Sequence, residues 1–149
     1  MLPCRIARPL YTGQIFLSMK IHRPSRTQHL AFYITMTDAI LQSICENIFT
    51  ELGPGHSESV YCRALSIGLH NLHICHETER VFPLSYKGIH VGVCRPDFIL
   101  EHHYAIEIKS VAQLTSTHRL QLQRYLRIPG LNTGMLINFG PNGVDTIKL

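Results

Sequence analysis

The 149-residue sequence has no tryptophan, and charged residues make up only 16% of it, below the usual quarter or so. No apolar run approaches the roughly 20 residues needed to cross a bilayer, so we expect a soluble protein without a membrane partner. Internal repeats, low-complexity stretches and a glycine-rich phosphate-binding loop are all missing, which argues against repeat proteins and P-loop hydrolases. A hydrophobic content of 45% is enough for one domain with its own core.

The cysteine pattern excludes a disulfide framework. There are five cysteines, an odd number, and none of them forms a Cys-x-x-Cys pair. This indicates a reducing compartment, and we expect an intracellular protein of the cytoplasm or nucleus. His70, His73, Cys75 and His76 lie close together in the sequence, but their spacing is a poor match to a zinc site.

Acidic residues are missing from the first 36 positions, which carry five basic residues and therefore a charge of +5. The rest of the chain has 14 − 5 = 9 basic and 10 acidic residues, a charge of −1. Residues 1–35 are predicted to be a basic, flexible extension, or an upstream extension of the reading frame with Met36 as the functional start. A mitochondrial targeting segment is the alternative that the arginine-rich composition allows.

The sequence pattern changes at Met36, and residues 36–149 are predicted to form one domain. Thr37 is a candidate cap for a first helix, whose apolar residues recur at helical spacing as far as Leu52. Gly53-Pro54-Gly55 ends that helix, and a second helix is predicted to start at Ser57.

Strands dominate from His76 onward. The predicted elements are, in order, a strand at residues 81–86, strands at 90–100 and 103–109, a helix at 114–128, and strands at 133–138 and 144–149. Turns are predicted at Lys87-Gly88, at Glu101-His102 and at residues 140–143, and Pro129-Gly130 ends the third helix.

Alternation along two of these strands brings charged residues together. Side chains of a strand point to alternate faces, so Asp97 shares a face with Ile99, and Glu107 shares a face with Lys109. The apolar residues between them must reach one core. If the two strands pair, two carboxylates and one ammonium therefore meet on the opposite face.

This grouping suits phosphodiester hydrolysis. Mg²⁺ takes one or two carboxylates and keeps several waters, it activates a bound water, and a nearby lysine stabilises the charge that develops on phosphorus. The plain alternative is a solvated polar face on an antiparallel hairpin, because Glu-x-Lys alone is a common pattern.

Several sequence blocks add a family resemblance. Residues 55–61, Gly-His-Ser-Glu-Ser-Val-Tyr, fit the pattern G-x-x-E-x-x-Y. Further blocks are Arg95-Pro96-Asp97, Ile106-Glu107-Ile108-Lys109, Gln121 with Tyr125, and Leu136-Ile137-Asn138-Phe139. In this order and spacing they resemble the GxxExxY family, a branch of the PD-(D/E)XK nuclease superfamily. The resemblance covers about residues 36–149 and leaves residues 1–35 unexplained.

The resemblance implies an α/β fold (α+β) of the restriction-endonuclease type, with a central mixed sheet flanked by helices. It implies that Asp97, Glu107, the carbonyl of Ile108 and Glu58 hold Mg²⁺, for which Mn²⁺ can substitute. Lys109 would be the catalytic lysine. Gln121 would act at the site, and the supporting residues would be Tyr61, His118 and Tyr125.

The resemblance thus predicts a metal-dependent nuclease acting on DNA, or less readily on RNA. Two other functions stay open at this point. One is a nucleic-acid-binding module without catalysis, and the other is a protein-interaction module on the same fold. The sequence leaves open whether the protein works alone or as a dimer.

Overall fold

The structure is a computed structural model that describes residues 26–149, with side chains from Asp38 onward. The compact unit that carries the sheet runs from Ala39 to Leu149. The elements are α1 (Arg26–Leu52), α2 (Glu58–Asn71), β1 (His76–Thr78), β2 (Phe82–Tyr86), β3 (Ile89–Cys94), β4 (Phe98–Leu100), β5 (Tyr104–Lys109), α3 (Ser116–Tyr125), β6 (Thr133–Gly140) and β7 (Gly143–Lys148).

The central sheet is mixed and has five strands in the order β1-β4-β5-β6-β7. Only β5 and β6 are parallel, because α3 crosses between them, and the other neighbours are antiparallel. β2 and β3 form a separate two-stranded hairpin. The predicted α/β fold with a mixed sheet between helices is therefore confirmed.

Both faces of the sheet are covered. On one face, alternate residues of β4 and β5 pack against α1 and α2, and they include Phe98, Leu100, Ile106 and Ile108. On the other face, Ile99 and Ala105 pack against Leu122 and Tyr125 of α3. The apolar residues predicted to share one core do so. The opposite face carries the charged residues only toward one end of β5, and α3 covers the rest.

Three predicted boundaries are wrong. α1 begins at Arg26 and passes through Thr37, because no glycine or proline interrupts residues 26–37. The strand predicted at residues 90–100 is divided between β3 and β4, since Pro96 has no N–H to donate and the chain changes sheets there. α3 is shorter than predicted and ends in a tight turn before Pro129.

The predicted turns are confirmed, and the short strand β1 was not predicted. Lys87 and Gly88 both have positive φ (50° and 79°), which suits a two-residue hairpin turn. Glu101 and His102, at 48° and 66°, make the turn between β4 and β5. The predicted extension at residues 1–35 lies mostly outside the described residues. No helix in the described part of the chain is long and apolar enough to span a membrane.

Candidate active site

Asp97, Glu107 and Lys109 meet at the carboxyl end of β5. Asp97 directly precedes β4, whose first residue, Phe98, pairs with Ile106. Glu107 therefore lies opposite Asp97, and Lys109 follows on the same face of β5, two residues on. The two carboxylates and the ammonium predicted from strand alternation are thus brought together by one short antiparallel pair.

Short hydrogen bonds fix this group. Lys109 Nζ lies 2.6 Å from Glu107 Oε1 and donates to it. The backbone N–H of Ile108 donates to Asp97 Oδ2 at 2.7 Å. Glu107 is only 2% exposed, and the side chain of Lys109 is 12% exposed, so both charges are held away from bulk water.

Burial is the largest influence on the pKa values of the two carboxyl groups. Burial raises the pKa of Asp97, although the N–H of Ile108 and the charge of Lys109 oppose the rise. Burial also raises the pKa of Glu107, and the charge of Asp97 adds to the rise. Each ionised carboxylate is therefore costly at this position, and a cation placed between them would relieve that cost.

Lys109 remains a cation. Burial alone lowers its pKa, but the hydrogen bond to Glu107 and the charges of Glu107, Glu58 and Asp97 outweigh burial, so the pKa is raised. A charged lysine cannot accept a proton. Its chemistry at this site is therefore electrostatic, through attraction of an anionic group.

α3 supplies the next contacts. Gln121 Nε2 donates to Glu107 Oε1 and also to the hydroxyl of Tyr125, the latter at 3.0 Å. The Tyr125 hydroxyl donates to the carbonyl of Arg95 at 3.2 Å, and burial raises the pKa of that hydroxyl. Gln121 and Tyr125 therefore connect α3 to both Glu107 and the segment before Asp97.

α2 borders the site from the other side. Glu58 is its first residue, and Glu58 Oε1 lies 4.0 Å from Lys109 Nζ with the Glu58 side chain 48% exposed. Tyr61 is fully buried, stacks on Phe139 with ring centroids 4.2 Å apart, and donates from its hydroxyl to the carbonyl of Gly53 at 2.7 Å. Tyr61 thus holds the loop before α2, while Glu58 reaches the charged group.

A cavity of about 240 Å³ opens beside Asp97 on the α2 side. Its lining residues are Ser59, Cys62, Arg63, Ser66, Thr78, Glu79, Asp97 and Phe98. The cavity gives a molecule from solvent access to Asp97.

The structural role of Asn138 was not predicted from the sequence. Asn138 is completely buried on β6; its Oδ1 accepts from the N–H of Val111 at 2.9 Å, and its Nδ2 donates to the Val111 carbonyl at 3.0 Å. Ser110 Oγ donates to the carbonyl of His56 at 2.7 Å. Together they fasten the segment after Lys109. A single polar residue inside an apolar strand was the available signal.

His118 does not contact the charged group through any of the described hydrogen bonds. Its Nδ1 accepts from the N–H of Thr115 at 3.2 Å and so closes the first turn of α3. Arg119 and Arg124 on α3, and Arg127 just after it, are exposed. Among the side chains from Asp38 onward, no group of three or more His, Cys, Asp or Glu residues converges in a way that could hold a metal ion.

One atom of the site would suit a bound cation. Glu107 Oε2 is buried and has no hydrogen-bond partner, an arrangement that is costly for a carboxylate oxygen. Asp97 and Glu107 supply hard oxygen donors, and Mg²⁺ needs only one or two carboxylates because waters complete its shell. The residues present therefore fit a Mg²⁺ ion between the two carboxylates.

No curated protein matches the chain. Among solved structures, the crystal structure of SSO0001 is similar, with a TM-score of 0.48 and 19% sequence identity over 83% of this chain; the match spans 60% of that chain. The family model of the PD-(D/E)XK nuclease superfamily matches residues 35–148. The chain therefore belongs to the PD-(D/E)XK nuclease superfamily.

Proposed function

We propose that the protein is a Mg²⁺-dependent nuclease that hydrolyses phosphodiester bonds of DNA. The observation that carries this proposal is the unpartnered, buried Oε2 of Glu107 next to Asp97 and Lys109. Within the superfamily, the G-x-x-E-x-x-Y block at residues 55–61 supports assignment to the GxxExxY branch. RNA is the second substrate to test.

Asp97 and Glu107 would hold the metal ion, with the carbonyl of Ile108 and the carboxylate of Glu58 as further oxygen donors. When bound, Mg²⁺, or Mn²⁺ in its place, supplies a Lewis acid that activates water and neutralises charge on the phosphate. The other described residues set up the geometry. The N–H of Ile108 orients Asp97, and Gln121 orients Glu107 through its amide.

Lys109 would act on the phosphate. Its raised pKa keeps it protonated at neutral pH, so it can attract a non-bridging phosphate oxygen and stabilise the negative charge of the transition state. The bond to Glu107 Oε1 holds the ammonium in place before the substrate arrives. Gln121, whose amide also touches Tyr125, positions Glu107 and does not itself supply a proton.

The cavity beside Asp97 would receive part of the nucleic acid strand. Arg63 supplies a positive charge there beside the carboxylates of Glu79 and Asp97, and Thr78 adds a hydroxyl-bearing residue that could hydrogen-bond to phosphate or sugar oxygens. Because phosphate contacts position a nucleic acid without reading its sequence, this lining supports a substrate defined by its backbone.

Isothermal titration calorimetry with Mn²⁺ tests the metal site. The wild-type protein should bind, and the variant Asp97→Asn/Glu107→Gln should not. Asp145→Asn is the matched control because it removes an exposed carboxylate from β7, and it should bind like the wild type. Absence of binding by the wild type, with or without nucleic acid, would contradict the proposal.

Cleavage is tested separately. Linear and circular DNA, and then RNA, are incubated with the wild type and the double variant in Mg²⁺. Products formed by the wild type alone would support the nuclease. Nucleic acid binding without products would favour a non-catalytic binding module, and neither binding nor cleavage would favour a protein-interaction module.

A further inference from the structure

A second cluster of reactive side chains lies at the opposite end of β4 from Asp97. Cys75 Sγ lies 3.9 Å from His102 Nε2, and His102 Nδ1 lies 3.6 Å from Glu77 Oε1. A thiol, an imidazole and a carboxylate thus form a row. None of these residues touches the candidate active site through a described contact.

The backbone brings the three residues together. β1 pairs with β4, so that Glu77 lies opposite Ile99. Beyond the end of that pair, the N–H of Glu101 donates to the carbonyl of Cys75 at 3.0 Å. Glu101 and His102 both adopt left-handed φ in the tight turn after β4, and the turn brings the His102 ring to the thiol of Cys75, which directly precedes β1.

The order of the three groups has a chemical meaning. An imidazole beside a thiol can take its proton near neutral pH, and a carboxylate on the far ring nitrogen stabilises the cation that results. The contacts are longer than in a closed triad, as is common when no reactant is present. Glu77 Oε1 also accepts from Arg80 at 3.1 Å, which holds the carboxylate beside the ring.

The other thiols with described side chains have raised pKa values, although Cys62 and Cys94 are partly exposed like Cys75. Burial raises the pKa of Cys45 and of Cys62 to about 12. Burial also raises the pKa of Cys94. A thiol reacts as its thiolate, so these three should be slow. Cys75 is partly exposed, and the side chain of His102 is 72% exposed, so a small molecule can reach both.

We propose that Cys75, His102 and Glu77 form a thiol site that exchanges with low-molecular-weight disulfides. His102 Nε2 takes the proton of Cys75, and the thiolate attacks one sulfur of the disulfide. A new sulfur–sulfur bond forms at Cys75 while the old one breaks. The departing thiolate takes the proton back from His102. The sulfur of Cys75 is oxidised, and the departing sulfur is reduced by the same amount.

The experiment uses the full chain and an uncharged aromatic disulfide, 4,4′-dithiodipyridine, which releases a coloured thione for each thiol that reacts. Mass mapping of peptides identifies which cysteine carries the label at each time. In a Cys4→Ser background, which removes the one thiol outside the described residues, Cys75 should be labelled before Cys45, Cys62 and Cys94. Cys75→Ser should abolish that early phase.

Substitutions of His102 and Glu77 identify the role of each residue in the reaction of Cys75. His102→Gln should slow labelling of Cys75 roughly tenfold and move its pH–rate profile to higher pH, because the local base is gone. Glu77→Gln should have a smaller effect in the same direction. His90→Gln is the matched control, an exposed histidine on β3, and it should leave the rate unchanged. Circular dichroism checks that each variant is folded.

Three results would overturn the proposal. One is labelling of Cys75 that is no faster than labelling of Cys45, Cys62 and Cys94. A second is a rate in His102→Gln that stays within about twofold of the wild type at every pH, since general-base assistance is typically worth far more. A rate lowered equally at all pH values would assign His102 a purely structural role and would overturn it as well.

Discussion

Asp97→Asn should make the metal-free protein more stable, although it removes a metal ligand. Burial raises the pKa of both Asp97 and Glu107, so each ionised carboxylate costs folding free energy. An asparagine at position 97 keeps an oxygen that can accept from the N–H of Ile108 and removes one of the two negative charges. The variant thus relieves repulsion without discarding the hydrogen bond.

The register of β4 and β5 allows an estimate of how much Asp97→Asn changes the free energy of unfolding. Because Phe98 pairs with Ile106, Asp97 and Glu107 lie opposite each other with their Cβ atoms roughly 5 Å apart, and we take the same separation for their charges. Two unit charges at that distance repel by about 3 kcal/mol at an effective dielectric constant of about 20, and Lys109 should cancel about half. We therefore expect Asp97→Asn to raise the free energy of unfolding by about 1–2 kcal/mol at pH 7.

The sign of the pH dependence follows from the direction of the pKa shift. The folded-state pKa of Asp97 lies above its unfolded value, so the penalty is absent below the unfolded pKa and complete above the folded one. The advantage of the variant should be largest above the folded-state pKa. It should shrink as the pH falls through that value.

Thermal and urea unfolding with and without Mg²⁺ provide the measurement. Mg²⁺ at a hundred times its Kd should stabilise the wild type by about 2.7 kcal/mol and leave the stability of Asp97→Asn unchanged. Without Mg²⁺ the variant should therefore be the more stable protein, and with Mg²⁺ the wild type should be. Asp145→Asn should follow the wild type in both conditions. A variant that is less stable than the wild type without metal would refute the charge argument, and equal stabilisation of both by Mg²⁺ would refute the metal site.

Three further predictions concern other parts of the site. Asn138→Ala should lower the free energy of unfolding by roughly 2–4 kcal/mol in urea titrations, because the N–H and the carbonyl of Val111 lose their partner; a loss below about 0.5 kcal/mol would contradict this. Gly134→Ala should cost about 1–3 kcal/mol, since its methyl group would lie 2.8 Å from Leu122 Cδ1 and 3.0 Å from a backbone oxygen. A double-mutant cycle with Leu122→Ala should be non-additive, and additive effects would exclude the clash. Lys109→Met should retain metal binding by calorimetry and lower single-turnover cleavage by at least about 100-fold, and unchanged cleavage would remove Lys109 from the mechanism.

The chemistry-bearing strands could be predicted because their signals are local. Alternation of apolar and charged residues on either side of the Glu101-His102 turn specifies a hairpin, and the hairpin alone brings Asp97 to Glu107. The same signal could not show that β3 and β4 belong to different sheets. That division depends on Pro96 and on β1, a three-residue strand whose pairing with β4 is a tertiary contact.

Other contacts depend on residues far apart in the chain. Asn138 and Val111 are 27 positions apart, as are Cys75 and His102, and periodicity carries no information over such a distance. The bond between Gln121 and Glu107 exists because α3 crosses the sheet at Gly134, where the absence of a side chain lets Leu122 approach. The roles of Asp97, Glu107 and Lys109 in metal binding and catalysis stay predictions until they are measured.

The β2–β3 hairpin has a consequence for the behaviour of the protein in concentrated solution. Its exposed side chains include Leu84, Tyr86, Ile89, Val91 and Val93, and Lys87 at the turn is its one charged residue. A ribbon with so few charges is a template for strand addition between molecules. Lys87 is thus the one charge of the hairpin that opposes self-association, alongside Pro83 and the irregular register between Leu84 and Ser85. The substitution Val91→Lys would place a second lysine at an exposed strand position. It should raise the solubility of the protein.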